Sequence, residues 1–162
     1  MPCAPIRNRE QGHGEHRATS DPDAGVNQMA KSFTAIVPPA LKAASKSWQY
    51  SPAVWFGDHY LISGVVGVDT EGQLPPDFRG QAETIFMALQ AILNEVGASL
   101  NDVASLTSYH VGDLQSQLRE FVEVKAAWIR PPQPIWTAVG VAELAVPGAL
   151  IEVTAAAVVR RP

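Results

Sequence analysis

Between Gln81 and Val96, apolar residues recur at steps of three and four: Ala82, Ile85, Phe86, Leu89, Ile92, Leu93 and Val96. That spacing is one face of an α-helix. The stripe is wide but one-sided, so the helix must lie on a second layer, and a sheet is the natural partner. Gly97 is placed to cap its C-terminus. A second helix is expected after Asp113, a good N-cap residue. Its Leu114, Leu118, Phe121, Val122, Lys125 and Trp128 fall near the same spacing, and Pro131-Pro132 stops it.

The remaining apolar runs have strand character. Val54-Trp55-Phe56, the tight-turn pair Gly57-Asp58, and His59 to Val66 make a hairpin. Asp69 to Asp77 is loop, punctuated by Gly72 and Pro75-Pro76. Asp102 to Val111 is rich in β-formers, and two more strands follow, Ile135 to Val141 and Ala149 to Val159. The order is β-β-α-β-α-β-β, an α/β (α+β) domain with a mixed sheet and both helices on one face. No third layer remains for the other sheet face, which predicts subunit association through it.

At 162 residues the chain fits one domain with one core. Residues 1–30 are polar, rich in Gly, Pro, Asp, Arg and His, and without apolar period, so they are expected to form a disordered extension. Residues 31–162 are the domain. Met29 is a candidate second start, and His13 and His16 lack a convincing third metal ligand. The net charge of −4 disfavours nucleic acid as a partner, and no apolar run is long enough to cross a membrane. Cys3 is the only cysteine, which makes the cytoplasm the default compartment.

The final thirty residues hold the sharpest pattern. Pro132 to Val141 reads Pro-Gln-Pro-Ile-Trp-Thr-Ala-Val-Gly-Val, and Pro147 to Ala155 reads Pro-Gly-Ala-Leu-Ile-Glu-Val-Thr-Ala. Glu152 is the one acid among apolar neighbours, so it is either an outward edge residue or a polar group in a site. Upstream lie Tyr50, the strand ending in Ser63-Gly64, the Val-Gly-Ala-Ser-Leu-Asn-Asp-Val turn at Val96 to Val103, and Asp113-Leu114. In this order, from Tyr50 to Val159, the segments resemble the RidA/YjgF family of enamine/imine deaminases.

The resemblance implies a chorismate-mutase-like fold, a homotrimer with clefts between subunits, and no cofactor. Carried over by position, Glu152 would place water or move a proton and Tyr50 would orient the substrate. Ser63, Gly64, Trp136 and Thr137 would line the site. Trp136 stands where the family has an arginine that grips a substrate carboxylate, and Val65 stands where a glutamine follows Ser-Gly. An indole offers one N–H and no charge, so it cannot replace a guanidinium fork. Trp136 either shapes the pocket or simply fills it. The expected activity is therefore water addition or proton transfer on a small reactive enamine or imine other than an ordinary 2-imino acid. The alternative is a non-catalytic trimer that binds flat aromatic or heteroaromatic molecules. His110 is expected to face outward or to be a satisfied core group.

Overall fold

The computed structural model describes residues 32–69 and 71–159; the extension assigned to residues 1–30 lies outside them. The expected seven elements are present in order, and two short ones precede them. Strand β1, Thr34–Ile36, and helix α1, Lys42–Trp48, are joined by a 3-10 turn at Pro39–Leu41. Neither was legible in the sequence, because three strand residues and a seven-residue helix with no buried side chain carry no apolar period. Next come β2 (Ala53–Phe56), β3 (His59–Val66), α2 (Phe78–Asn94), β4 (Val103–His110), α3 (Leu114–Trp128), β5 (Ile135–Gly140) and β6 (Ile151–Val158).

Local chemistry sets these boundaries. Gly57 closes the β2–β3 hairpin in the left-handed region, at φ +57, where a side chain would be strained. Helix α2 begins three residues before Gln81 because Asp77 caps it, accepting a hydrogen bond from the Gly80 N–H at 2.8 Å. Asp113 caps α3 through the Gln115 N–H at 3.1 Å.

The strands form one mixed sheet in the order β1-β2-β3-β6-β4-β5. Only β4 and β5 run parallel; every other neighbouring pair is antiparallel. Helices α2 and α3 cover one face. Their Ile85, Phe86, Leu89, Leu93, Phe121 and Val124 pack on Tyr60, Ile62, Leu106, Ile151, Val153 and Ala155. Among the described residues no helix packs on the opposite face of the sheet. Phe56, Leu61, Ile135, Val139 and Val158 project from that face and are exposed, Ile135 by 74 %.

One buried amide joins the layers. The Gln81 side chain is 2 % exposed. Its Nε2 donates to the carbonyls of Pro75, at 3.0 Å, and Gly148, at 3.2 Å. Its Oε1 accepts from the Leu150 N–H at 2.8 Å, just before β6. Gly67, just past β3, lies against the backbone of the same residue: a Cβ there would fall 2.3 Å from the Gln81 carbonyl oxygen. Backbone cannot swing aside as a side chain can. Gly67→Ala should therefore destabilise the domain by about 1–3 kcal/mol, read as a lowered midpoint in denaturant. An unchanged midpoint would show that the end of β3 is free to shift away from α2.

Candidate functional site

Alternation along β6 sorts its residues. Ile151, Val153, Ala155 and Ala157 are buried under the helices, whereas Glu152 and Thr154 are half-buried on the uncovered face. Glu152 pairs with Val66 on β3 and with Tyr109 on β4. Between Ile62 and Val65 the β3 register shifts in a bulge that contains Ser63 and Gly64. The Glu152 carboxylate lies on Gly64: a Cβ built there would fall 1.8 Å from Oε1 and 2.6 Å from Cδ. Gly64 has no positive φ, so glycine serves here for space. Burial raises the Glu152 pKa above the ordinary carboxyl value. No ion pair or hydrogen bond to this carboxylate is present among the described residues.

Tyr50 comes to the same end of the sheet. It follows α1, where its carbonyl accepts from Ser45 Oγ at 2.6 Å and its N–H donates to the Ser45 carbonyl at 3.2 Å. Two residues on, the Pro52 carbonyl accepts from the Ser63 N–H at 2.9 Å. Tyr50 is thus joined to the Ser63-Gly64 bulge through one short stretch of backbone, and Glu152 reaches Gly64 separately from β6. Thr137 also shares the uncovered face, because it pairs with Thr107, which pairs with Thr154. The result is a row of three threonine hydroxyl groups beside Glu152. Tyr109 and Thr107 were not singled out from the sequence. Alternation could have put them on one face, but only strand register places them opposite Glu152 and Thr154.

Trp136 is elsewhere. It pairs with Leu106 and points toward the helices, so within one chain its side chain and that of Glu152 leave opposite faces of the sheet. The sequence reading grouped them in one pocket. In the structure Trp136 packs against Phe121, with ring centroids 5.2 Å apart, and its Nε1–H donates to Ser108 Oγ at 2.8 Å. Ser108 Oγ lies 2.8 Å from His110 Nε2, and His110 Nδ1 lies 3.2 Å from Gln117 Oε1. Gln117 Nε2 donates to the Val111 carbonyl at 2.7 Å. That last bond orients the amide and leaves Oε1 as an acceptor. The neutral imidazole therefore carries its proton on Nδ1, and Ser108 donates to Nε2. His110 is fully buried, stacked on Phe78 and edge-on to Phe121. A Ser–His pair closed off in this way is a satisfied core group, as one of the sequence alternatives held.

A groove of about 450 Å³ runs between α2 and α3, lined by Arg79, Glu83, Met87, Glu123 and Trp128 among others. Arg79 and Glu123, both in its lining, form an ion pair. The groove is on the outer helical surface, away from the Glu152 face. Among the described residues no group of three His, Cys, Asp or Glu side chains could hold a metal, and no helix is long and apolar enough to cross a membrane.

The family profile described as Endoribonuclease L-PSP matches residues 40–159. The chain is 36% identical to the RutC family protein YjgH of Escherichia coli K12 over 113 residues, covering 69% of this chain and 86% of that protein. Its fold is similar to the solved structure of protein YJGH, with a TM-score of 0.70 and 32% identity over 82% of this chain and 100% of that one. It is also similar to RidA from the Antarctic bacterium Psychrobacter sp. PAMC 21119, with a TM-score of 0.64 and 36% identity over 68% and 88% of the two chains.

Burial lowers the His110 pKa, against the smaller opposite effect of the Gln117 hydrogen bond. The unfolded chain, with histidine near its ordinary value of about 6.5, takes up the proton first as pH falls. The stability due to neutral His110 is therefore present above that value and is lost as pH falls toward the folded pKa. An NMR titration should find the His110 ring titrating below the ordinary value. A midpoint at or above it would show that burial does not hold the imidazole neutral.

Proposed function

The chain belongs to the Endoribonuclease L-PSP family, in the company of RutC, YjgF and RidA proteins, and on that premise we propose that it processes a small reactive enamine or imine at Glu152. The observation that carries this reading is the seating of that carboxyl group. It lies on Gly64, desolvated, and among the described residues it has no ion pair or hydrogen bond and no helix covers its face of the sheet. Burial that raises the pKa makes the carboxyl group hold its proton more readily than an ordinary one and leaves its carboxylate the stronger base. As the acid it protonates the imine nitrogen; as the carboxylate it takes a proton from the attacking water. Water adds to the carbon, the C–N bond breaks, and ketone or aldehyde and ammonia leave. Tyr50 orients the substrate, and Ser63, Gly64 and Thr137 line its path.

The substrate on this reading lacks a carboxylate beside the C=N bond. No strand of the sheet carries a lysine or arginine, and Trp136 points away from Glu152. A charge-assisted bidentate bond contributes about 3 kcal/mol. Its loss from the transition state is roughly a hundredfold in rate. The working form is a homotrimer, with the uncovered face and its exposed Phe56, Leu61, Ile135, Val139 and Val158 turned toward neighbouring subunits and the sites in the clefts between them. The cytoplasm is the proposed compartment.

Two imines made in place by oxidases separate the possibilities: 2-iminopropionate from alanine, and an uncharged aldimine from a primary amine. The protein should speed hydrolysis of the uncharged imine, and its rate on 2-iminopropionate should be about a hundredfold below that of an enzyme that carries the carboxylate clamp. Glu152→Gln and Gly64→Ala should each fold and lose at least about tenfold in kcat/KM, the second by pushing the carboxylate off its seat. Because the Glu152 pKa is raised, its burial is tolerated best below the ordinary carboxyl value, and stability falls as pH rises through the folded pKa. Glu152→Gln should therefore melt higher than the parent at neutral pH. Full activity in both variants would remove Glu152 from the mechanism. No acceleration of either imine would favour the non-catalytic binding protein, a reading supported by the lack, among the described residues, of an ion pair or hydrogen bond to Glu152.

Light scattering at micromolar concentration should give three times the 17.4 kDa chain mass. A monomer mass would show that the apolar sheet face tolerates water, and would overturn the intersubunit site.

A further inference from the structure

The groove between α2 and α3 has no part in the imine reading, and its walls carry a chemistry of their own. Arg79, Glu83 and Met87 lie along one row of α2, at steps of four. Glu123, Ala127 and Trp128 of α3 line the other side. The Arg79 end is charged and the Met87 end is apolar. At the apolar end Trp128 is stacked on Phe86, with ring centroids 6.3 Å apart and planes inclined by 12°. Phe86 is fully buried, so it holds the indole as a fixed wall. Met87, in the same groove, is 53 % exposed.

The charged end is short of cations. Arg79 is the one basic residue in the lining, and Glu123 pairs with it. The Arg79 pKa is raised, first by that hydrogen bond, against desolvation, and then by the charges of Glu123, Glu120 and Glu83. Three carboxylates against one guanidinium leave a surplus of two negative charges. Among the described residues no ion pair or hydrogen bond meets the Glu83 or Glu120 carboxylate, and Arg119 forms no ion pair with either. The groove volume of about 450 Å³ is enough for a small organic molecule. Glu83 and Met87 are one helical turn apart, about 6 Å. That is the reach of an amine nitrogen joined to a ring through two carbons.

We propose that this groove binds a small primary amine with an aromatic body, its ammonium between the Glu83 and Glu123 carboxylates and its ring against Trp128 and Met87. The ammonium supplies the positive charge that the acidic end lacks. Exposed carboxylates alone would hold it weakly. The ring adds apolar contact with the indole and the thioether, both otherwise open to water. The groove is on the outer helical surface, so it is separate from Glu152 of the same chain and does not depend on the imine reading.

Phenylethylamine, phenylpropionate and ethylamine are the probes. The first two share a ring and a spacer and differ in charge; the third keeps the charge and lacks the ring. The full-length protein, labelled with ¹⁵N and with ¹³C at the methionine methyls, is titrated with each. The Trp128 Nε1–H and Met87 methyl resonances report binding. Phenylethylamine should move both and bind at least about tenfold more tightly than either other probe. Glu83→Gln combined with Glu123→Gln should abolish the preference for the amine over the carboxylate, and Glu152→Gln should leave it unchanged. Both substituted side chains are exposed, Glu123 by 67 %, so the double variant should fold. Should it not, Met87→Lys, which puts a like charge at the ring's place, should weaken phenylethylamine at least about tenfold. Equal binding of amine and carboxylate, unmoved Trp128 and Met87 resonances, or a preference that survives the double substitution would each overturn the proposal. So would its loss in Glu152→Gln, which would place the amine on the sheet face, or full affinity in Met87→Lys.

Discussion

The Gln81 side chain is the constraint on which the arrangement depends. One buried amide holds three separate pieces of chain: the loop at Pro75, the turn at Gly148 and the N–H of Leu150. It does so from the first turns of α2, the helix that seals the core, while Gly67 brings the end of β3 against its backbone. The start of β6 and the end of β3 are thereby placed relative to one another. Those are the two segments that bring Glu152 onto Gly64. An amide in this position has no water to fall back on, so losing any partner leaves a buried polar group unpaired.

The two faces of the sheet do different work. Toward the helices, the polar side chains that enter the core are satisfied: Trp136, Ser108, His110 and Gln117 pass hydrogen bonds in one direction to the Val111 carbonyl. That closure makes the Ser–His pair a structural device. On the other face, Glu152 has neither an ionic nor a hydrogen-bonding partner among the described residues and sits beside Tyr109 and the row of Thr154, Thr107 and Thr137. A polar group left unsatisfied where burial is partial is the usual mark of a site rather than of packing.

The family arginine position shows how a substitution can be read twice. By sequence, Trp136 in place of an arginine is the loss of a positive charge from a pocket. In the structure, the tryptophan is part of the core margin, and a cation stands above its ring on a different element, Lys125 of α3. The two residues are eleven positions apart and on different kinds of secondary structure, so no local pattern joins them.

The sequence by itself determined the element order, the one-sided helices and hence the two-layer fold with an uncovered face. Those follow from apolar period and from caps such as Asp113, which act over a few residues. It also marked Glu152, because an acid in an apolar strand is locally anomalous. The short β1 and α1 were illegible, since neither buries enough to leave a period. The rest was decided by tertiary structure. Which residues face Glu152 depends on strand register and on the bulge at Ser63-Gly64, and a shift of one residue would turn every side chain to the other face. The role of Gly64 is equally non-local: it is glycine because a carboxylate from β6 occupies the space of its side chain. The same holds for the separation of Trp136 from Glu152. Two strand positions with alternating neighbours look alike in a sequence, and only the packed sheet assigns one to the helices and the other to the open face.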